Sequence, residues 1–418
     1  MTEAALPATP RRAALIFIFV TVALDMLAMG LVIPVFPKLV VEMAGSMTEG
    51  ASIFGWFGAS WAAMQFFASP FLGVLSDRFG RRPVILISNF GLGFDYILMA
   101  LAPNLIWLFV GRLISGVTAA SLSCANAYIA DVLPPERRAA GFGMLGAAFG
   151  LGFVLGPAVG GLLGELDPRL PFWFAAGVSL TNAMYGLFVL PESLLPENRS
   201  PFAWAKANPF TSLLRMKRYR GLTGLLSACF LRFIAHGSLT SAFVLYTTFR
   251  YGFSERDLGL SLALVGVLSA IVEGGLTRPV VRWLGARVTF MVGSFLGIIG
   301  FALMAFASDS LVFMTALPFL ALWGLARPAT QELMTERVSA SEQGQLQGTI
   351  SSLLGVSGLI APLLFTRVFS ASIDPAAGLH LPGAPFLVAA ILLVGSLVVA
   401  LVAIRRDVQP LTPSSATP

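Results

Sequence analysis

Several ionisable side chains of this 418-residue chain stand inside long apolar runs. Asp25 and Asp95 each lie near the middle of one. An ionised carboxylate in such surroundings costs several kcal/mol unless it is paired, hydrated or protonated, so a mid-run acid is a natural site for reversible proton uptake. Arg112 stays charged and needs a carboxylate, a carbonyl or water, and Asp25 is its expected partner. Glu273, in LSAIVEGGLTRP, lies nearer the end of its run, where it could carry a proton or pair with Arg327 or Arg278 as a gate. Gln65, Asp95, Phe233, His236, Arg327 and Gln331 combine hydrogen bonding, both signs of charge and an aromatic face. That set suits an amphiphilic, even zwitterionic, small molecule. Static interhelical bonds and ion pairs are the competing reading for each of these residues.

No enzyme chemistry competes with this. There is no Ser/His/Asp constellation, two histidines and two cysteines (Cys124 and Cys229) offer no metal site, and no GxxxxGK[ST] string provides for ATP. No cofactor is expected.

The elements that must position these residues follow from composition. Hydrophobic residues make up 56% of the chain and charged residues 11%, against about 25% charged in soluble proteins. That excludes a soluble two-domain enzyme and intrinsic disorder, and leaves a polytopic membrane protein. Apolar stretches fall at 13–35, 51–75, 83–102, 105–128, 141–164, 171–190, 221–247, 257–281, 287–307, 311–333, 345–369 and 384–404. They predict twelve spanning helices, since a barrel would show shorter alternating strands. The first run has no cleavage site and carries Asp25, so it is expected to be retained.

Segment 191–220 is polar and basic, with Arg199, Lys206, Arg215, Lys217, Arg218 and Arg220, and divides the chain six plus six. The expected organisation is an N-terminal segment 1–12, a bundle 13–190, a membrane-surface linker 191–220, a second bundle 221–404 and a tail 405–418. With both termini inside, 19 of the 27 Lys and Arg fall in cytoplasmic segments, five on the opposite face and three within spans. The positive-inside bias therefore sets both ends in the cytoplasm. The formal charge of +6 belongs to this pattern and implies no nucleic acid.

GVLSDRFGRRPV (73–84) after the second span and GGLTRPVVRWLGARV (274–288) after the eighth place glycine and basic residues on corresponding turns, as in a duplicated bundle. Within the first, Gly73 and Gly80 allow close approach or a tight turn. Asp77 could meet a neighbouring helix N-terminus, and Arg78, Arg81 and Arg82 could pair with carboxylates across the bundle. In the fifth span Gly152, Gly156, Gly160 and Gly161 put small surfaces at near-helical spacing, and Pro157 bends the helix.

These strings resemble the major facilitator superfamily, and within it the drug:proton antiporters typified by the bacterial tetracycline efflux proteins. The resemblance spans roughly 13–404 and rests on 59–88, GRLISGVTAA (111–120), AYIAD (127–131), FGLGFVLGPAVGGLLGE (149–165) and GQLQG (344–348). It implies an all-α fold of twelve helices in two pseudo-symmetric six-helix bundles, and proton-coupled efflux of an amphiphilic drug by alternating access. It further implies a multi-pass protein of the bacterial inner membrane, acting as a monomer among lipid, whose substrate can travel as a divalent-metal complex. Asp25 matches the family's first-span acid, Asp95 its third-span acid and Arg112 its fourth-span arginine. The 73–82 loop matches a latch of the outward-facing state, and the fifth-span glycines match a motif that shapes the interface between halves and limits ion leak. The second half departs: Ser269 and Gly297 stand where those exporters carry a histidine and an aspartate, and Phe233 and Gly237 where they carry glutamines. The alternative is a facilitator or proton symporter for a small metabolite, its anion bound by Arg112, Arg232 and Arg327; the fifth-span motif argues against it.

Overall fold

The computed structural model describes residues 8–119, 121–202, 222–339, 342–377 and 380–406. Most of the expected linker, the first seven residues and the tail from 407 lie outside the described residues, and with them the expected surface helix of the linker.

The described residues form helices joined by short turns. In the first half these are α1 (Ala8–Val32), α2 (Phe36–Ala44), α3 (Met47–Phe79), α4 (Arg81–Leu101), α5 (Leu105–Thr118), α6 (Ser121–Val132), α7 (Pro135–Leu166) and α8 (Leu170–Val189). The second half contains α9 (Thr223–Tyr251), α10 (Glu255–Ile271), a π-helical turn (Val272–Leu276), α11 (Thr277–Phe306), α12 (Ser310–Trp323), α13 (Ala326–Thr335), α14 (Gln343–Ile373) and α15 (Ala384–Arg406). This is the twelve-span fold read from the sequence, with three differences in how spans are built.

First, the first, fourth and tenth spans are each broken in two, giving the pairs α1–α2, α5–α6 and α12–α13. Pro34 and Pro37 cause the first break, since neither ring nitrogen can donate to the helix ladder. Second, the eighth and ninth spans read as one continuous helical stretch, Glu255–Phe306, of 52 residues. The chain turns at Gly285, whose φ of 74° and ψ of 159° suit glycine alone. Gly80, between α3 and α4, has φ 105° and ψ 161°. The two turns thus share one backbone conformation at corresponding places in the two halves. Third, among the described residues ten stretches are apolar enough to cross a membrane by length and composition, and α3 is not one of them. It is 33 residues long, but Ser60, Trp61, Gln65, Ser69 and Pro70 dilute its apolarity.

Local signals set the ends. Asn104 caps α5 by accepting from the amides of Ile106 and Trp107, and Ser254 forms a reciprocal capping box with Asp257. Asp309 caps α12; the amide of Val312, the Ser308 hydroxyl and the amide of Leu311 hold its carboxyl below the ordinary range.

The bare face of α7 organises the packing. A Cβ on Gly156 would stand 2.6 Å from the Gly30 Cα of α1, one on Gly152 would stand 2.6 Å from Met26 Cβ, and one on Gly160 would strike the Leu31 backbone. Gly161 turns the other way, onto Gly259 of α10 in the opposite half, 2.8 Å from its Cα. The fifth-span motif therefore packs three glycines within its own half and one across the interface. At Gly73, in contrast, a Cβ would meet no atom of the described residues within 4 Å.

Gly156→Ala is expected to destabilise the protein by about 1–3 kcal/mol through overpacking against α1. Gly146→Ala, on the same helix but with open space around it, is expected to be neutral or to gain up to about 1 kcal/mol of helix propensity. Thermal unfolding of the purified variants in detergent, followed by tryptophan fluorescence, checks the pair.

Candidate functional site

The nominated side chains fall into two clusters, one in each half. In the first, Asp25 on α1 is 4% exposed and its Oδ1 accepts from Asn182 Nδ2 of α8 at 2.9 Å. The same amide donates to the Thr21 carbonyl at 3.1 Å. Asn182 was not singled out in the sequence, where a lone amide in the apolar run of 171–190 was its signal.

Asp95 on α4 is 1% exposed and lies against α5 where Gly111 leaves room, its Oδ1 3.0 Å from the position of a Gly111 Cβ. No donor among the described residues reaches hydrogen-bond geometry on either of its oxygens. The Ser115 hydroxyl faces it but donates to the Arg112 carbonyl at 3.3 Å.

Arg112 is held between two rings, its Cζ 5.1 Å from the centroid of Phe36 and 5.3 Å from that of Trp61. Stacking on aromatic faces is a favourable resting place for a guanidinium. The sequence reading joined Arg112 to Asp25. In the structure its electrostatic partners are Asp95 and Tyr96, the next two residues on α4, while Asn182 serves Asp25. The physical reason is the glycine at 111, which lets α4 and α5 close until the acid and arginine share one neighbourhood. Gln65 lies half-buried on α3, one turn beyond Trp61.

The second cluster lines the other half. His236 on α9 is exposed and packs its ring 5.8 Å from Trp323 of α12. The Trp323 indole rests on Gly297 and on Phe301. Arg327, just after the break between α12 and α13, pairs with Glu273 at 3.3 Å. Both are open, which places them toward an aqueous space, because charged groups facing lipid are costly. Of the two partners expected for Glu273, Arg327 is the one it meets. Glu273 sits in the π-helical turn, where Thr277 Oγ1 donates to the Val272 carbonyl at 3.0 Å. Such single turns recur at functional positions in helices, and nothing in the sequence announced this one. Arg232 Cζ lies 5.1 Å from the Phe233 centroid, and Gln331 is half-buried one turn beyond Arg327.

The loop motif forms a third group. Arg81 donates to Asp77 Oδ1 and Ser76 Oγ at 2.6 Å each, and to Asp131 Oδ2 at 3.0 Å. Glu192, after α8, accepts from the Arg81 amide at 2.8 Å and the Arg82 amide at 3.3 Å, capping α4 from the end of another span. Arg82 also donates to the Leu187 carbonyl, and Arg78 lies over the Phe79 ring. Asp77, expected at a neighbouring helix N-terminus, is taken by Arg81; Glu192 has the capping role instead. These partners all belong to the first half.

At the other end the two halves are joined. Lys38 Nζ pairs with Glu255 Oε1 at 2.8 Å and donates to the Phe253 carbonyl at 3.2 Å. Ser370 Oγ of α14 donates to the Thr48 carbonyl of α3 at 2.9 Å, and Gly55 packs against Pro362 and Thr366. A crevice of roughly 150 Å³ beside this seam is lined by Lys38, Glu42, Met47, Leu245 and Thr248 and contains none of the nominated residues. The halves meet at the Lys38 end, and the bonds of the loop motif among the described residues lie within the first half.

Residues 18–362 match the model of the Major Facilitator Superfamily. Among curated proteins the chain is 36% identical to the class C tetracycline resistance protein of Escherichia coli, over 86% of this chain and 90% of that one. It is 34% identical to the class H tetracycline resistance protein of Pasteurella multocida, over 86% and 90%. Its fold is similar to the crystal structure of the human organic anion transporter MFSD10, with a TM-score of 0.70, 24% identity and coverage of 93% of this chain and 99% of that one.

Glu192→Ala leaves the first amides of α4 uncapped and is expected to cost about 1–2 kcal/mol, the usual range for a lost cap. Glu192→Gln keeps one acceptor oxygen and should lose less. Thermal unfolding of both variants beside the wild type tests the order.

Proposed function

Because the chain belongs to the major facilitator superfamily, and within it to the family of the tetracycline resistance proteins, we propose that it is a proton-coupled exporter of tetracycline-like or other amphiphilic drugs. The observation that carries the proposal is the buried pair of acids in the first half. Asp25 and Asp95 are both shut from solvent among α1, α4, α5 and α8, with Arg112 beside Asp95. Acids so placed can be neutral in one conformation and ionised in another, and that difference can couple proton movement to a change of shape.

On this reading Asp25 and Arg112, with Glu273 in the second half, serve proton coupling. Gln65, Asp95, Phe233, His236, Arg327 and Gln331 receive the substrate, in some cases as a divalent-metal complex. By the distribution of Lys and Arg, both termini face the cytoplasm and the Lys38 end faces outward. The Lys38–Glu255 pair then holds the halves together on the outward side, and the 73–82 loop lies on the cytoplasmic side. A cycle alternates contact at these two sides. The protein sits in the bacterial inner membrane, works as a monomer, and consists of bundles 13–190 and 221–404 joined by the linker.

Proteoliposomes with an imposed pH gradient test the proposal. Wild type should drive labelled tetracycline, with magnesium present, against its gradient. Asp25→Asn should reduce gradient-driven movement at least about tenfold at unchanged protein amount, in line with a positioned proton carrier. Undiminished transport by Asp25→Asn would remove that residue from the coupling path. Absence of any drug movement by the wild type would remove the exporter reading.

A further inference from the structure

Arg232 is a buried arginine that no described carboxylate pairs with. It is 9% exposed, on the face of α9 that also carries Cys229 and His236 at helical spacing. Among the described residues no carboxylate lies within ion-pair distance of it. Its Nη2 has only the Cys229 Sγ, a weak acceptor at 3.6 Å, and its Nε has no partner. The rest of the guanidinium lies over the Phe233 ring. A buried charge left uncompensated is strongly destabilising, and an arginine fork with most of its donors unmet is poised for a planar anion. Glu273, the acid of this cluster, is already engaged by Arg327. His236 lies one turn along α9 from Arg232 and packs against Trp323, four residues before Arg327.

The two clusters therefore differ in sign. The first half sets two acids against one arginine; the second sets two arginines against one acid. We propose that Arg232 is the anchor of an anion subsite in the second half, taking a carboxylate, enolate or phenolate of an aromatic amphiphile, with the Phe233, His236 and Trp323 rings beside it. This deepens the exporter reading, since it rests on the space between the clusters being where substrate binds, and it assigns the substrate's negative end to the second half.

Binding is measured without any proton gradient, so the result stands apart from the transport test. The full chain in lipid nanodiscs is dialysed to equilibrium with 1-pyrenebutyrate or with its neutral analogue 1-pyrenebutanamide, and uptake by empty nanodiscs is subtracted. Wild type should bind the carboxylate about tenfold or more tightly than the amide, the scale of a charge-assisted hydrogen bond. Arg232→Gln should abolish the preference, and Arg232→Lys, which keeps the charge but not the fork, should reduce it severalfold. Equal binding of the two probes by wild type overturns the proposal, as does a preference unchanged in Arg232→Gln. If Arg232→Gln does not fold, Arg232→Lys decides by the same criterion. A preference with no gradient-driven transport would leave the subsite standing and the exporter reading fallen; transport with no preference would do the reverse.

Discussion

The architecture depends on one stripped helix. Because α7 presents glycine on two faces, its backbone can lie against α1 on one side and against Gly259 of α10 on the other. A methyl group at Gly156, Gly160 or Gly161 would hold those backbones apart. The first contact fixes α1, and so the height at which Asp25 meets Asn182. The second fixes how the halves meet.

Within this frame, charge is placed where lipid cannot reach it. Asp25 and Asp95 are sealed between helices, and Arg112 rests between two aromatic rings rather than in a direct ion pair. The second half handles the same constraint differently, leaving Arg327 and Glu273 open as a pair and burying Arg232 beside an aromatic ring. The acid-rich half and the arginine-rich half are therefore not equivalent walls, although the helices that carry them are related.

The near-repeat of the two halves is visible in the matched backbone at Gly80 and Gly285 and lost in what surrounds them. Around Gly80, Asp77, Asp131 and Glu192 converge on Arg81 and its amide. Around Gly285 a Cβ would meet no atom of the described residues within 4 Å. The first turn is tied down within its own half, and the ion pair that joins the halves, Lys38 with Glu255, is at the far end. The loop at 73–82 and the pair at Lys38 thus lie at opposite ends of the helices.

Composition alone determined that the chain is a polytopic membrane protein, because so few charges cannot cover a water-facing surface. Apolar length set the spans, basic residues set the expected orientation, and the glycine spacing in 152–161 marked a packing face, since these depend on local residue type. Partner choice was decided only in three dimensions. Whether Arg112 meets Asp25 or Asp95 depends on how far Gly111 lets α5 approach α4. Whether Asp77 or Glu192 caps α4 depends on where the end of α8 arrives, more than a hundred residues away. The broken first, fourth and tenth spans and the π-helical turn at Glu273 left little trace in hydropathy, which reports length and apolarity but not backbone path. That no described carboxylate reaches Arg232 depends on how several helices meet around it, and no single stretch of sequence contains it.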